Sequence, residues 1–68
     1  MPEEYLTKME AIDAIRRATG YGKYIIDRKM DELADSGEIT ILEDPGDKRK
    51  QRISRSHVQI IIDALKLG

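Results

Sequence analysis

Apolar residues recur at helical spacing in three separate stretches of the chain. The first stretch follows Thr7 and Glu10, which together form the Thr-x-x-Glu capping box of a helix start. Gly20 closes it, because glycine readily adopts the left-handed conformation of a helix C-cap. The pattern therefore predicts a first helix between Thr7 and Gly20. Its expected apolar stripe consists of Met9, Ile12 and Ile15, with Ala11 and Ala18 beside it.

The second helical stretch follows a connection of only three residues, Gly20-Tyr21-Gly22. Two helices joined so tightly must pack at a steep angle, which is the arrangement of a helix-turn-helix. We therefore expect a second helix over residues 22–36, closed by Gly37. Its expected apolar face carries Ile25, Ile26, Met30, Leu33 and Ala34, and its opposite face carries Lys23, Tyr24, Asp27, Arg28 and Asp31.

A β-hairpin is predicted next. Residues 39–42 and 50–53 are the two candidate strands, and Asp44-Pro45-Gly46-Asp47 between them is typical of a turn. An isolated hairpin is marginal in water, so we expect it to pack on the helices through Ile39, Ile41 and Ile53. The tip of the hairpin, residues 47–50, then projects from the domain.

The third helical stretch closes the chain. Ser54 and Ser56 each offer an N-cap, and Ser56 with Gln59 has the spacing of a second capping box. The helix is expected to run to about Leu67. Two apolar lines follow it: Val58, Ile61, Ile62 and Leu65 at core-facing spacing, and Ile60, Ala64 and Leu67 on another side. The second line is either ordinary buried surface or a surface for self-association or for a partner.

These elements predict a mainly α fold with a small β-hairpin, namely a winged helix-turn-helix. The 68 residues are expected to form a single domain, residues 1–68, because so short a chain supports only one core. Without cysteine there is neither a disulfide nor a thiolate metal site. No apolar run approaches the roughly 18 residues that span a bilayer, so we expect a cytoplasmic protein that does not bind membranes.

Charge is distributed unevenly along the chain. The net charge is -1, yet ten of the twelve basic residues lie in two short segments. Because a like-charged surface repels itself unless an anion is present, this distribution indicates binding to nucleic acid. The first segment contains Arg16, Arg17, Lys23, Arg28 and Lys29, and the second contains Lys48, Arg49, Lys50, Arg52 and Arg55.

The chain resembles the MerR-like and excisionase-like winged-helix domains. Three motifs carry the resemblance: Tyr5-Leu6-Thr7-Lys8-Met9-Glu10-Ala11, which looks like the "LTxxEAA" opening, Ser36-Gly37-Glu38-Ile39, and Ile53-Ser54-Arg55-Ser56-His57-Val58. The hairpin is also similar to the wing of MarR-type regulators, in which an Asp-x-Arg pair at the tip contacts DNA; Asp47 and Arg49 match that pair. The resemblance implies a DNA-binding function.

We therefore expect sequence-preferring binding of double-stranded DNA, by a nucleoid-associated transcriptional regulator or an architectural factor in recombination or partition. The helix at 22–36 would enter the major groove and the wing at 44–52 would contact the flanking backbone or minor groove. The expected DNA-binding residues are Arg16, Arg17, Lys23, Tyr24, Asp27, Arg28, Lys48, Arg49, Lys50, Arg52 and Arg55. A homodimer or head-to-tail oligomer would use Ile60, Ala64 and Leu67.

Two alternatives remain open at this stage. The first is a winged helix that binds another protein and does not contact DNA, and the second is an RNA ligand. A catalytic function is not expected, because so small a domain does not enclose a substrate. Neither a cofactor nor a metal is expected: His57 is the only histidine, and it is predicted to be solvated or to cap the last helix.

Overall fold

Three helices and a three-stranded sheet make up the part of the chain that the computed structural model describes. That part is residues 4–44 and 46–67, without the side chains of Asp44, Asp47, Lys48 and Arg49. The structure confirms a compact, mainly helical domain. The elements in chain order are β1 (Tyr5–Thr7), α1 (Lys8–Thr19), α2 (Lys23–Asp35), β2 (Ile41–Asp44), β3 (Asp47–Ser54) and α3 (Arg55–Leu67).

The ends of α1 confirm the sequence prediction. The Glu10 backbone N–H donates to the Thr7 hydroxyl at 3.2 Å, and the Thr7 N–H donates to the Glu10 carboxylate at 3.1 Å. This is a complete capping box. At the other end Gly20 has φ 81°, and its N–H donates to the Arg16 carbonyl at 2.7 Å. Local sequence therefore sets both ends of the helix.

The sheet differs from the predicted two-stranded hairpin. Strand β3 is central and pairs antiparallel with both β2 and β1, so that Ile53 stands opposite Ile41 on one side and Leu6 on the other. The prediction missed β1 because three residues directly before a helix cap are too short to carry a strand pattern. The hairpin strands are also shifted: β2 begins two residues later than predicted, and β3 is longer at both ends.

The core is built from every helix and from the central strand. Its largest fully buried side chains are Ile15, Ile26, Met30, Ile53 and Ile61. The predicted stripe of α3 is confirmed, since Val58, Ile61, Ile62 and Leu65 are all buried. The hairpin packs on the helices as expected, with Ile39 and Ile53 buried and Ile41 partly buried.

Two details of the sequence prediction are wrong. Met9 is 78% exposed, because it lies about 60° from Ile12 on the side away from Ile15 and so outside the buried stripe. Ile25 is 47% exposed on the flank of α2. Of the two serines that the sequence offered as N-caps of α3, Ser54 is confirmed: the His57 backbone N–H donates to its hydroxyl at 3.3 Å.

No helix within residues 4–44 and 46–67 combines the length and the apolar character needed to cross a membrane.

Candidate functional site

Ion pairs divide the basic residues of the described chain into two groups. Four cations have a carboxylate partner, at these N···O distances: Lys8–Asp27 2.9 Å, Arg17–Asp13 3.3 Å, Lys29–Glu32 3.6 Å and Arg55–Glu4 3.0 Å. Within the described residues, no ion pair is formed by Arg16, Lys23, Arg28, Lys50, Arg52 or Lys66. The first five of these belong to the two basic segments of the sequence.

The outer face of α2 presents a tyrosine and an arginine to solvent. Helical geometry, at about 100° per residue, places Tyr24 and Arg28 opposite the buried side chains of Ile26 and Met30. Tyr24 is 81% exposed, which is unusual for so large an aromatic side chain. This face is therefore available to a ligand along the first two turns of the helix.

Arg16 of α1 lies beside the start of α2. Arg16 and Lys23 line the same shallow groove of about 140 Å³, together with Met9, Ile12 and Asp13, whose carboxylate pairs with Arg17. Both basic side chains are exposed at its rim. The tight turn between the helices thus brings together two cations that stand seven positions apart in the sequence.

Lys50 and Arg52 lie on the outer face of the sheet. Side chains alternate along a strand, and Ile53 points into the core, so Arg52 and Lys50 point outward. Both residues line a second shallow groove, of about 260 Å³, together with Thr7. Arg52 also stands directly opposite Thr7 in the pairing of β3 with β1.

The N-terminus of α1 contacts both elements that carry the basic segments. Thr7 is the pairing partner of Arg52, and Lys8, the next residue, reaches Asp27 of α2 at 2.9 Å. Strand β3 and helix α2 are therefore each in contact with one of two adjacent residues. The missed strand β1 is what fixes this arrangement, because it anchors Thr7 to β3.

Arg17 and Arg55 occupy a different place. They line a groove of about 490 Å³ between α1 and α3, together with Glu10 and Asp13. The Arg55 guanidinium makes two contacts with the carboxylate of Glu4, at 3.0 and 3.1 Å. The sequence grouped both arginines with the other DNA-binding candidates, but each has a carboxylate partner here.

The groove between the C-terminal half of α2 and the hairpin is acidic. Its volume is about 460 Å³, and its lining includes Asp31, Glu43 and Gln51. The Gln51 amide donates to the Glu43 carboxylate at 3.3 Å. The cationic surface of α2 therefore does not extend into the groove beside the C-terminal half of the helix. The wing-tip candidates Lys48 and Arg49, like Asp47, have side chains outside the described residues.

His57 anchors the base of the hairpin. The Thr40 backbone N–H donates to its Nδ1 at 3.2 Å, which joins the residue before β2 to the first turn of α3. Since an N–H donates to it, Nδ1 carries no proton in this arrangement. The sequence placed His57 as a solvated or capping residue, and its contact with Thr40 was not visible because the two residues are 17 positions apart.

The second apolar line of α3 is partly exposed. Leu67 is 90% exposed and Ile60 38% exposed, whereas Ala64 packs against the core. Two of the three residues predicted to form a partner surface are thus accessible.

No group of three or more His, Asp or Glu side chains lies close enough to bind a metal ion in the described ranges 4–44 and 46–67. The chain matches no protein-family model, no curated protein and no solved structure.

Proposed function

We propose that the protein is a winged-helix domain. A helix, a three-residue turn and a second helix are followed by a hairpin and a closing helix, which is the element order expected of such a domain. In this interpretation α2 is the recognition helix, and β2 with β3 forms the wing. We further propose that the domain binds double-stranded DNA, as a transcriptional regulator or an architectural factor.

The observation that carries this proposal is a set of exposed cations that have no ion pair. Five such cations of the described chain lie on α1, α2 and β3, and the N-terminus of α1 contacts both α2 and β3. Such cations repel one another, and a polyanion relieves that repulsion while releasing its own counterions. The five residues are Arg16, Lys23, Arg28, Lys50 and Arg52.

The outer face of α2 has suitable chemistry for a major groove. Arg28 and Lys23 carry donors that match the O6 and N7 acceptors of guanine. Tyr24 between them is suited to a phosphate, a sugar or a thymine methyl group. We assign base contacts to this helix because its first two turns are exposed and its opposite side is fully buried.

The wing supplies contacts with the DNA backbone. Lys50 and Arg52 point outward from β3 next to Thr7 and are assigned to phosphates. Arg49 stays a prediction for the minor groove, with Lys48 beside it on the backbone. We leave Arg17 and Arg55 out of the proposed surface, because a phosphate would have to displace a carboxylate from each.

Salt dependence tests the proposal. Duplex oligonucleotides are first selected from a random pool, and their affinity is then measured by fluorescence anisotropy at several salt concentrations. Neutralisation of about five phosphates by the cations of the surface gives an expected slope of log affinity against log salt of about -4 to -5. A slope near zero, or no selected sequence at all, would rule out the proposed function.

A pair of double variants locates the surface. Lys50→Ala/Arg52→Ala removes two unpaired cations, and the matched control Arg17→Ala/Lys29→Ala removes two paired ones, so both variants have the same net charge. We expect the first to flatten the salt slope by about 2. The control is expected to change the slope by less than about 0.5. Equal effects of the two variants would show that net charge alone governs binding.

A protein-binding module without DNA contact is the second candidate. The exposure of Leu67 and Ile60 on α3 favours it, since apolar side chains in register along a helix are a common feature of partner surfaces. The same face would serve a homodimer or a head-to-tail oligomer on DNA. An interface with an apolar centre barely responds to salt, so the titration above separates the two functions.

A further inference from the structure

We propose that Lys8 is a positioning residue for DNA binding: it holds the Asp27 carboxylate away from the phosphates and so keeps the outer part of α2 cationic. This inference rests on the proposed function and adds to it a residue that lies outside both basic segments. It also gives Asp27 a role different from the base contact that the sequence suggested.

Asp27 is the one acid within the first two turns of α2. It lies one turn after Lys23 on the same side of the helix and directly before Arg28. An unshielded carboxylate at this position would repel the backbone of a duplex bound to the helix. The proposed DNA surface therefore needs a partner for Asp27.

Lys8 is that partner. Its Nζ lies 2.9 Å from Oδ1 of Asp27, and the two side chains are 30% and 40% exposed. Oδ1 itself is buried, and within the described residues it has no well-oriented hydrogen bond. The Lys8 ammonium is therefore the main compensation for this buried oxygen.

A lysine at position 8 does not stabilise the helix that contains it. Lys8 is the first residue of α1, where the partial positive charge of the helix N-terminus favours acids and disfavours cations. The cation is thus explained by Asp27 and not by α1. Because Thr7 pairs with Arg52, Lys8 is also the residue next to the contact of α1 with β3.

Four variants test the inference: Lys8→Met, Asp27→Asn, the double variant Lys8→Met/Asp27→Asn, and the control Lys66→Met. Methionine keeps the aliphatic stem of lysine. Lys66 is exposed in the last turn of α3 and has no ion pair with a described residue, so its replacement changes the net charge equally. Thermal unfolding by circular dichroism shows which variants are folded at the temperature of the binding assay.

We expect Lys8→Met to weaken duplex binding about three- to tenfold, because Asp27 is left unpaired. The double variant is expected to return to within about twofold of the wild type, since it removes the carboxylate charge as well. Lys66→Met should change affinity by less than about twofold. Because affinities are compared only at a temperature where circular dichroism shows Lys8→Met to be folded, rescue by the second substitution reports the charge of Asp27 and not a loss of folded protein.

Other outcomes overturn the inference. A double variant as weak as Lys8→Met, with the salt slope reduced by about 1, would mean that Lys8 contacts a phosphate itself. Unchanged affinity of Lys8→Met would mean that Asp27 needs no shielding. If Lys8→Met does not fold, Asp27→Asn decides: binding weaker than wild type contradicts the inference, and equal or tighter binding supports it. A wild type that binds no duplex refutes the proposed function itself.

Discussion

Arg16 and Arg17 are adjacent in the sequence, yet the fold gives them opposite surroundings. Arg17 pairs with Asp13 and lines the groove between α1 and α3, whereas Arg16 forms no ion pair with a described residue and lines, with Lys23 and Asp13, the groove between α1 and α2. The same contrast separates Arg55, which is held by Glu4, from Arg52 on the preceding strand. We call the surface that carries Arg17 and Arg55 the paired side, and the surface that carries Arg16, Lys23, Arg28, Lys50 and Arg52 the unpaired side.

The difference matters because a paired cation contributes little to binding a polyanion. An exposed ion pair adds only about 0 to 1 kcal/mol to stability, but a phosphate still has to replace the carboxylate to reach the cation. An unpaired cation meets no such competition. The density of basic residues along the sequence is therefore a poor measure of a binding surface, and the local balance of charge after folding is a better one.

The unpaired side depends on the attachment of β3 to the core. Ile53 is fully buried between Leu6 and Ile41, and Ile53→Ala is expected to lower the free energy of unfolding by about 2 to 5 kcal/mol. The adjacent outward-facing substitution Arg52→Ala should change it by less than about 0.5 kcal/mol. Urea unfolding followed by circular dichroism measures both. Similar values for the two variants would contradict the assignment of the inner and outer faces of β3.

The next prediction compares one arginine from each side. Arg28→Ala should weaken binding to the selected duplex by about 1 to 3 kcal/mol and relax the preference at one or two base pairs. Arg17→Ala should change affinity less than about twofold at every sequence, because its charge is already balanced by Asp13. Competition with duplexes mutated at single positions measures the preference. A uniform loss across all sequences would assign Arg28 to phosphates and remove it from base recognition.

Local patterns in the sequence were sufficient for the helices. The capping box at Thr7 and Glu10 and the left-handed Gly20 set the ends of α1, and the spacing of four apolar residues identified the buried face of α3. These features act over a few residues, so they can be recognised without the fold. Gly37, with φ 83°, directly follows the C-cap residue Ser36 of α2 and belongs to the same category.

Features that join distant residues were not predictable from those patterns. Strand β1 has only three residues, and its partner β3 lies about 45 positions further along the chain. Glu4 and Arg55 are 51 residues apart, and Lys8 reaches Asp27 from another helix. The division into paired and unpaired cations arises from such contacts. Of these contacts, only the Lys8–Asp27 ion pair had a local sign in the sequence, namely a cation in the first turn of a helix.

The smallest expected effect is a loss of stability at low pH through Glu10, which lines the groove of the paired side. The Thr7 backbone N–H, followed by the Thr7 side chain, holds the pKa of Glu10 below its ordinary value of 4.5. A lowered pKa in the folded state means that the carboxylate adds stability above that ordinary value and that this stability is lost as the pH falls through the lowered pKa. The melting temperature of the wild type should therefore fall more steeply than that of Glu10→Gln as the pH is lowered from about 5 to about 3.

Glutamine is a suitable control because it keeps a capping-box acceptor for the Thr7 N–H but does not titrate. The other carboxylates titrate in both proteins, so their contributions cancel in the difference between the two melting curves. Parallel curves would mean that the capping box adds nothing through the charge of Glu10. Curves that converge toward low pH would show that the charge of Glu10 stabilises the start of α1. This is the end of the helix that holds Lys8 beside Asp27.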